Sequence, residues 1–125
     1  MIRSAVITRD GKSNVVSALV NGTAWTLSAL GVGDSNQHPS IDDRDLLGSN
    51  KYYVNVSPIL NKTDGYIEFN YSFSGGVVSF PISEIGVFRD TSNTSGYMFL
   101  RAICDTIRFQ NESDWLDITV IIGVP

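Results

Sequence analysis

Two stretches of this chain alternate with a period of two. Residues 66–73 place Ile67, Phe69, Tyr71 and Phe73 on one side and Glu68, Asn70 and Ser72 on the other. Residues 115–122 do the same, with Leu116, Ile118, Val120 and Ile122 sharing a face. An extended segment sends successive side chains to opposite faces, so each stretch reads as an antiparallel strand with one buried face. Such faces need an apolar layer opposite them, and residues 81–90 supply the clearest candidate. There Ile85 and Val87 point one way and Phe88 the other, while Gly86 leaves room for a neighbouring backbone or ring. Glu84 is a carboxylate inside this apolar run, and burial of the strand requires a partner for it.

The remaining segments agree with a β-rich chain. Residues 25–32 read as a strand with Trp25, Leu27 and Ala29 on one face, and residues 51–56 as another carrying Tyr52, Val54 and Val56, ended by Pro58. Residues 97–103 return as a strand. Turn chemistry falls at residues 61–65, 74–76 and 110–113. One helix is expected between Ser13 and Asn21, where Val15, Val16, Leu19 and Val20 form a helical stripe and Asn21-Gly22 supplies a stop. That helix is expected to pack on the sheet through Val16, Leu19 and Val20. The fold class is therefore mainly β: an antiparallel β-sandwich-like domain with one short N-terminal α-helix, spanning residues 1–125 as a single domain. Its expected core is Ile67, Phe69, Phe73, Ile85, Val87, Leu116, Ile118 and Val120.

Charge and composition narrow the function. A net charge of −4 without any Lys/Arg cluster excludes nucleic acid as a partner, because phosphate neutralisation needs grouped cations. One Cys and one His leave no intrachain disulfide framework and no all-Cys/His zinc site. Cys104 lies in an apolar run and reads as a small buried hydrophobe. No apolar run reaches the roughly 20 residues that span a bilayer, and Met1-Ile2-Arg3 lacks the apolar region of a secretory signal. The expectation is a soluble chain made in a cytoplasm, with no membrane partner. The Asn-x-Ser/Thr triplets at Asn21, Asn61, Asn70, Asn93 and Asn111 are then turn composition rather than glycosylation sites.

Chemistry-bearing constellations are sparse. Asp34, His38, Asp42 and Asp45 fall in the polar segment 35–50 or at its edge and offer oxygen and nitrogen donors. Their spacing matches no EF-hand, and the alternative is a surface loop with Asx turns and one helical turn near residues 42–47. A Cys–His dyad would have to join His38 to Cys104, and an acid–base pair would have to use Asp42 and Asp45. Nothing orients either, so no enzyme, catalytic residue, metal or cofactor is expected. A carbohydrate-binding β-sandwich is the alternative binding function: Trp25, Trp115 and five tyrosines offer rings, provided that one is exposed beside polar groups in a concavity.

Three separated pieces resemble the bacteriophage tail-collar fibre family, in its N-terminal attachment domain. Ile7-Thr8-Arg9-Asp10-Gly11 with Ala18-Leu19-Val20-Asn21-Gly22-Thr23 is similar to that family's "LT-x-x-G" opening and "AL-x-x-G-T" helix end. Residues 27–34 look like its "VGDG" strand and turn, and residues 82–88 with 97–100 resemble "I-x-EIGLF" and a return strand. The family's tight hairpin after its Phe is replaced here by the longer loop 90–96, and the chain stops at Pro125 where members continue into a fibre. The resemblance implies a structural virion protein of a phage tail that docks fibres or host-binding proteins onto the tail or baseplate. It would act as a symmetric homo-oligomer, a trimer or ring, beside other tail proteins. The expected partner contacts lie in loops 35–50 and 90–96, through Ser35, His38, Asp42, Asp43, Asp90 and Asn93. Deletion of residues 35–40 is expected to spare folding but to abolish incorporation into tails.

Overall fold

The protein is described by a computed structural model covering residues 2–22, 26–91 and 95–123. Eight strands and one helix follow in the order β1 (Ile2–Ile7), α1 (Arg9–Asn21), β2 (Ala29–Gly33), β3 (Lys51–Asn55), β4 (Ile59–Asn61), β5 (Tyr66–Ser74), β6 (Ile82–Phe88), β7 (Met98–Ile107) and β8 (Trp115–Gly123). They form a five-stranded sheet, β1-β7-β6-β2-β3, and a three-stranded sheet, β4-β5-β8. Every strand pairing is antiparallel. The β-sandwich expected from the alternating stretches is the fold observed.

The inner faces of the two sheets hold the main core. Phe69, Phe73 and Ile118 of the smaller sheet meet Leu30, Val32, Val54, Ile82, Ile85, Val87 and Cys104 of the larger. Ile67, Leu116 and Val120 are half-buried against the same cluster, so the expected core set does assemble. Residues 66–73 alternate as read, with Phe69 and Phe73 buried and Asn70 and Ser72 exposed.

β6 is buried along its whole length because it is the middle strand of the larger sheet and both of its faces are covered. Ile85 and Val87 enter the sandwich core, while Phe88 points outward into a second cluster with Ala29, Leu46 and Met98. Gly86 pairs directly with Gly31 of β2. A Cβ on Gly86 would stand 2.6 Å from the Phe88 ring, and one on Gly31 would stand 3.0 Å from Leu46. The two glycines thus leave a trench on the outer face, filled by Phe88 and Leu46. This is the ring for which the sequence leaves room.

The helix departs from expectation. It begins at Arg9 rather than Ser13, because Thr8 caps it: the Thr8 hydroxyl accepts from the Gly11 N–H at 3.0 Å and donates to the Met98 carbonyl. Gly22 ends it in the left-handed conformation, φ 67°, as Asn21-Gly22 suggests. Its docking residue is Gly11, whose missing side chain lets the first turn lie on the Phe99 backbone; a Cβ there would be 2.7 Å from the Phe99 carbonyl oxygen. Val16, Leu19 and Val20 were expected to face the sheet and instead face solvent, Leu19 at 81% exposure. Close approach at Gly11 seats only the first turn on β7; farther along, Val15 and Leu19 border an open cleft with Leu27, Leu60 and Phe99 instead of a packed core.

Two boundaries also move. The strand expected over residues 25–32 is β2, Ala29–Gly33, with Leu27 half-buried against the core before it and Trp25 outside the described residues. No helical turn forms at residues 42–47. The N–H groups of Leu47 and Gly48 are turned toward a side chain of β6 instead of into a helical ladder.

Candidate docking site

That side chain is Glu84. It points from the centre of β6 to the outer face of the larger sheet and is fully buried. Its carboxylate accepts from the Ser35 N–H at 3.1 Å, the Leu47 N–H at 2.9 Å, the Gly48 N–H at 2.7 Å and Arg101 Nε at 3.0 Å. Burying an ionised carboxylate is costly unless its lone pairs are filled and a counter-charge lies close. Here three backbone donors and a guanidinium meet both needs.

Arg101 is equally buried and stands on β7 beside Gly86. Beyond Glu84, its Nη1 donates to the Gln37 carbonyl at 2.9 Å and to Asp43 Oδ2 at 3.3 Å. Nη2 is buried without a hydrogen-bond partner among the described residues. Glu84 and Arg101 together therefore grip segment 34–50 at both ends and in the middle, and Leu46 fills the glycine trench between those grips. Asp34 tightens the segment's return, accepting from the Asn50 N–H at 3.2 Å and from Asn50 Nδ2 at 2.8 Å. Those hydrogen bonds hold the Asp34 carboxyl below its ordinary pKa.

The loop is thus a fixed outer layer rather than a loose connection, and it is part of the fold. Pro39, Leu46 and Gly48 are buried, whereas Gln37, His38, Ser40, Asp42 and Leu47 face solvent. Its rim is tied to the helix start by Arg9–Asp42 and Arg44–Asp10 ion pairs, each 3.0 Å. Both lie at the surface, with Asp10 half-buried, and contribute orientation more than stability. The Arg44 carbonyl accepts from the Gly96 N–H at 3.0 Å, which brings the second expected docking loop against the first.

The six expected contact residues divide accordingly. Ser35 and Asp43 serve the buried clamp, Ser35 through its backbone and Asp43 through Arg101. His38 and Asp42 are exposed on the outer surface of the loop. Asp90 is half-buried at the end of β6, next to Arg89, whose guanidinium lies 5.0 Å from the centre of the Tyr97 ring. Asn93 lies outside the described residues. Removing residues 35–40, a deletion expected to spare folding, would take the Ser35 N–H from Glu84 and the Gln37 carbonyl from Arg101.

Asp34, His38, Asp42 and Asp45 are not gathered into a metal-sized group among the described residues. Asp34 bonds Asn50, Asp42 bonds Arg9, and Asp45 accepts from the Tyr53 hydroxyl at 2.7 Å. Cys104 is on the inner face of β7, where burial pushes its thiol pKa up, and His38 is in the loop across the outer face. The sheet separates them.

Arg101 is the residue that sequence reading missed. Its signal was present: it is a cation between Leu100 and Ala102 in a strand-like run, the complement of the carboxylate singled out at Glu84. No protein-family model, curated protein or solved structure matches this chain.

Proposed function

We propose that this chain is a structural component of a bacteriophage tail, joining fibres or host-binding proteins to the tail or baseplate as one of several symmetric copies. The reading starts from the three tail-collar-like pieces of the sequence. It is supported by one structural observation: the clamped loop 34–50, whose exposed side chains are held on a fixed layer and joined at Arg44 and Gly96 to the second loop. A docking surface of that kind presents side chains without first having to order a loop, which lowers the cost of association. No chemistry is required of it.

His38 and Asp42 are the residues assigned to the contact, because both are exposed on that layer and neither enters the buried clamp. The test uses His38→Glu combined with Asp42→Lys in the full chain, expressed in cells producing the phage that encodes it. Purified particles should carry the native chain at the tail, visible by antibody-gold labelling, and lose the variant while its melting temperature stays within about 2 °C of native. Particles without the native chain would overturn the virion reading. Particles that incorporate the variant normally would remove the docking role from this loop.

Trp115 gives the sugar-binding alternative one specific support, since the residue is 67% exposed. It stands on the outer face of the smaller sheet, in line with Asp117 and Thr119. Binding of the native chain to an immobilised glycan panel, abolished by Trp115→Ala, would favour that reading over the structural one.

A further inference from the structure

Three pairs in the chain join an Asp or Asn to a glycine: Asp10-Gly11, Asn21-Gly22 and Asp64-Gly65. Each can in principle close into a ring. A glycine carries no side chain to keep its backbone nitrogen from the carbonyl carbon of the preceding Asp or Asn side chain. Ring closure then depends on how firmly the fold holds the two groups apart, and the three pairs are held very differently.

Asp10-Gly11 lies in the docked first turn of α1. The Gly11 N–H donates to Thr8 Oγ1 at 3.0 Å, Gly11 is buried against Phe99, and Asp10 is paired with Arg44. Asp64-Gly65 is closed in a turn by Asn61. That residue donates from Nδ2 to Asp64 Oδ2 at 3.1 Å, and its carbonyl accepts from the Gly65 N–H at 2.9 Å. Asn21-Gly22 is held least. Both residues are exposed at the last turn of α1, and the Gly22 N–H is held by the Ala18 carbonyl at 3.2 Å. The Asn21 side chain makes no hydrogen bond among the described residues. Leu19 and Val20 beside it are 81% and 76% exposed, so no packing pins this end. No basic residue stands in the last turn to complement the negative end of the helix dipole. Such an end opens at little cost.

We propose that Asn21 is a site of hydrolytic deamidation in the folded protein, reached through a succinimide formed with Gly22. Helical backbone at Asn21 turns the Gly22 nitrogen away from the side chain, so the last turn must first open and release the Ala18 carbonyl. The Gly22 nitrogen then loses its proton to solvent and attacks Asn21 Cγ. The new N–Cγ bond forms, the Cγ–Nδ2 bond breaks, and ammonia leaves after taking a proton from solvent. Water next adds to one of the two ring carbonyls. Opening at the Asn21 main-chain carbonyl gives isoaspartate, whose backbone runs through the former side chain; opening at Cγ gives aspartate. One water is consumed and one ammonia released, with no change of oxidation state. Either product places a carboxylate at the negative end of α1, which disfavours the helix there. Isoaspartate also inserts a methylene into the backbone just before the left-handed Gly22 cap. Both loosen the turn that borders the cleft of Leu19, Leu27 and Leu60. The inference stands whether or not the tail reading holds.

The test ages the full chain in warm neutral buffer, folded and in guanidinium chloride, and maps its peptides by mass spectrometry and isoaspartyl methylation. Residue 21 should gain about 1 Da and carry the isoaspartate. Its folded rate should fall within about a hundredfold of the unfolded rate, while Asp10 and Asp64 stay unchanged in the folded chain. Asn21→Gln, whose side chain would have to close a larger ring, should abolish the signal. Val20→Lys adds a cation to the last turn at an exposed position and should lower the folded-to-unfolded rate ratio about two- to fivefold. Three results would each overturn the proposal: a folded chain intact at residue 21 once the unfolded sample has fully converted, isoaspartate arising first at Asp10 or Asp64, or a signal that survives Asn21→Gln. A Val20→Lys ratio equal to the native one would overturn the part given to opening of the last turn.

Discussion

The two faces of the larger sheet are held by opposite kinds of interaction. Its inner face is dry and apolar, with Leu30, Val32, Ile85 and Val87 packed on Phe69, Phe73 and Ile118. Its outer face carries a buried ion pair, and the layer over it is a loop with no regular structure. Hydrophobic contact is non-directional, so the inner face needs only the right side chains on the right side of each strand. The outer face needs named partners: a carboxylate on β6, a guanidinium on β7, and N–H groups at Ser35, Leu47 and Gly48. The inner face can therefore be repacked, whereas the outer one breaks when a single member is lost.

The sharpest test removes one charge. Arg101→Met should destabilise the chain by about 3 to 5 kcal/mol, because Glu84 would remain buried without its counter-charge. Adding Glu84→Leu should not cost the sum of the two single effects. A double-mutant cycle by urea denaturation should give a coupling of at least about 1 kcal/mol between them. Additive losses would mean that the pair is incidental and that the loop is held by Leu46 alone.

Phe69→Ala addresses the other face and should cost about 3 to 5 kcal/mol by opening a cavity between the sheets. The comparison is sharpened by where protection is lost. Phe69→Ala should raise amide exchange in strands of both sheets together, since the cavity lies between them. Arg101→Met should first release the Leu47 and Gly48 amides, whose acceptor is the stranded carboxylate. Leu46→Ala comes next in size, at about 2 to 5 kcal/mol if the loop stays closed over the void. A smaller loss accompanied by fast exchange only within residues 34–50 would show that the loop lifts off as a unit.

This division also sets how much of the molecule was legible in its sequence. The inner face announced itself through alternation at 66–73 and 115–122, because burial of one strand face writes a period of two into the chain. Gly86 and Glu84 stood out for the same local reason: each breaks an apolar run. What Glu84 binds could not be read locally, since Ser35, Leu47 and Arg101 reach it from remote segments, two of them through backbone N–H groups that leave no compositional mark. The helix was misread for a related reason. An apolar stripe specifies that a face can be buried, but the packing side was chosen by close approach at Gly11.

A weaker effect comes from the pH dependence of the loop's return. The Asn50 hydrogen bonds lower the folded-state pKa of Asp34 below its unfolded value. The resulting stabilisation is fully present above the unfolded pKa, about 3.9, and is lost as pH falls through the lower folded value. An NMR titration should place the Asp34 midpoint below that of a model peptide, and Asn50→Ala should move it back up. A midpoint unchanged by Asn50→Ala would detach this bond from the loop's closure.

The smallest effect is expected where the structure overrules the apolar stripe read from the sequence. Leu19→Ser on α1 removes a large apolar side chain from the stripe Val15, Val16, Leu19 and Val20. If that stripe packed on the sheet, the loss would be about 2 kcal/mol or more, as for other buried leucines. Leu19 is 81% exposed, and the helix is held instead at its first turn by the Thr8 cap and by the fit of Gly11 on Phe99. The change should therefore stay within about 0.5 kcal/mol. Gly11→Ala, a change of one methyl group, should cost about 1 to 3 kcal/mol, because the added Cβ meets backbone that cannot move aside. The order of these two losses, read from thermal melts of the isolated chain, decides which side of α1 is docked. A larger loss for Leu19→Ser would place the stripe against the sheet and undo the outer-face arrangement around Thr8 and Met98.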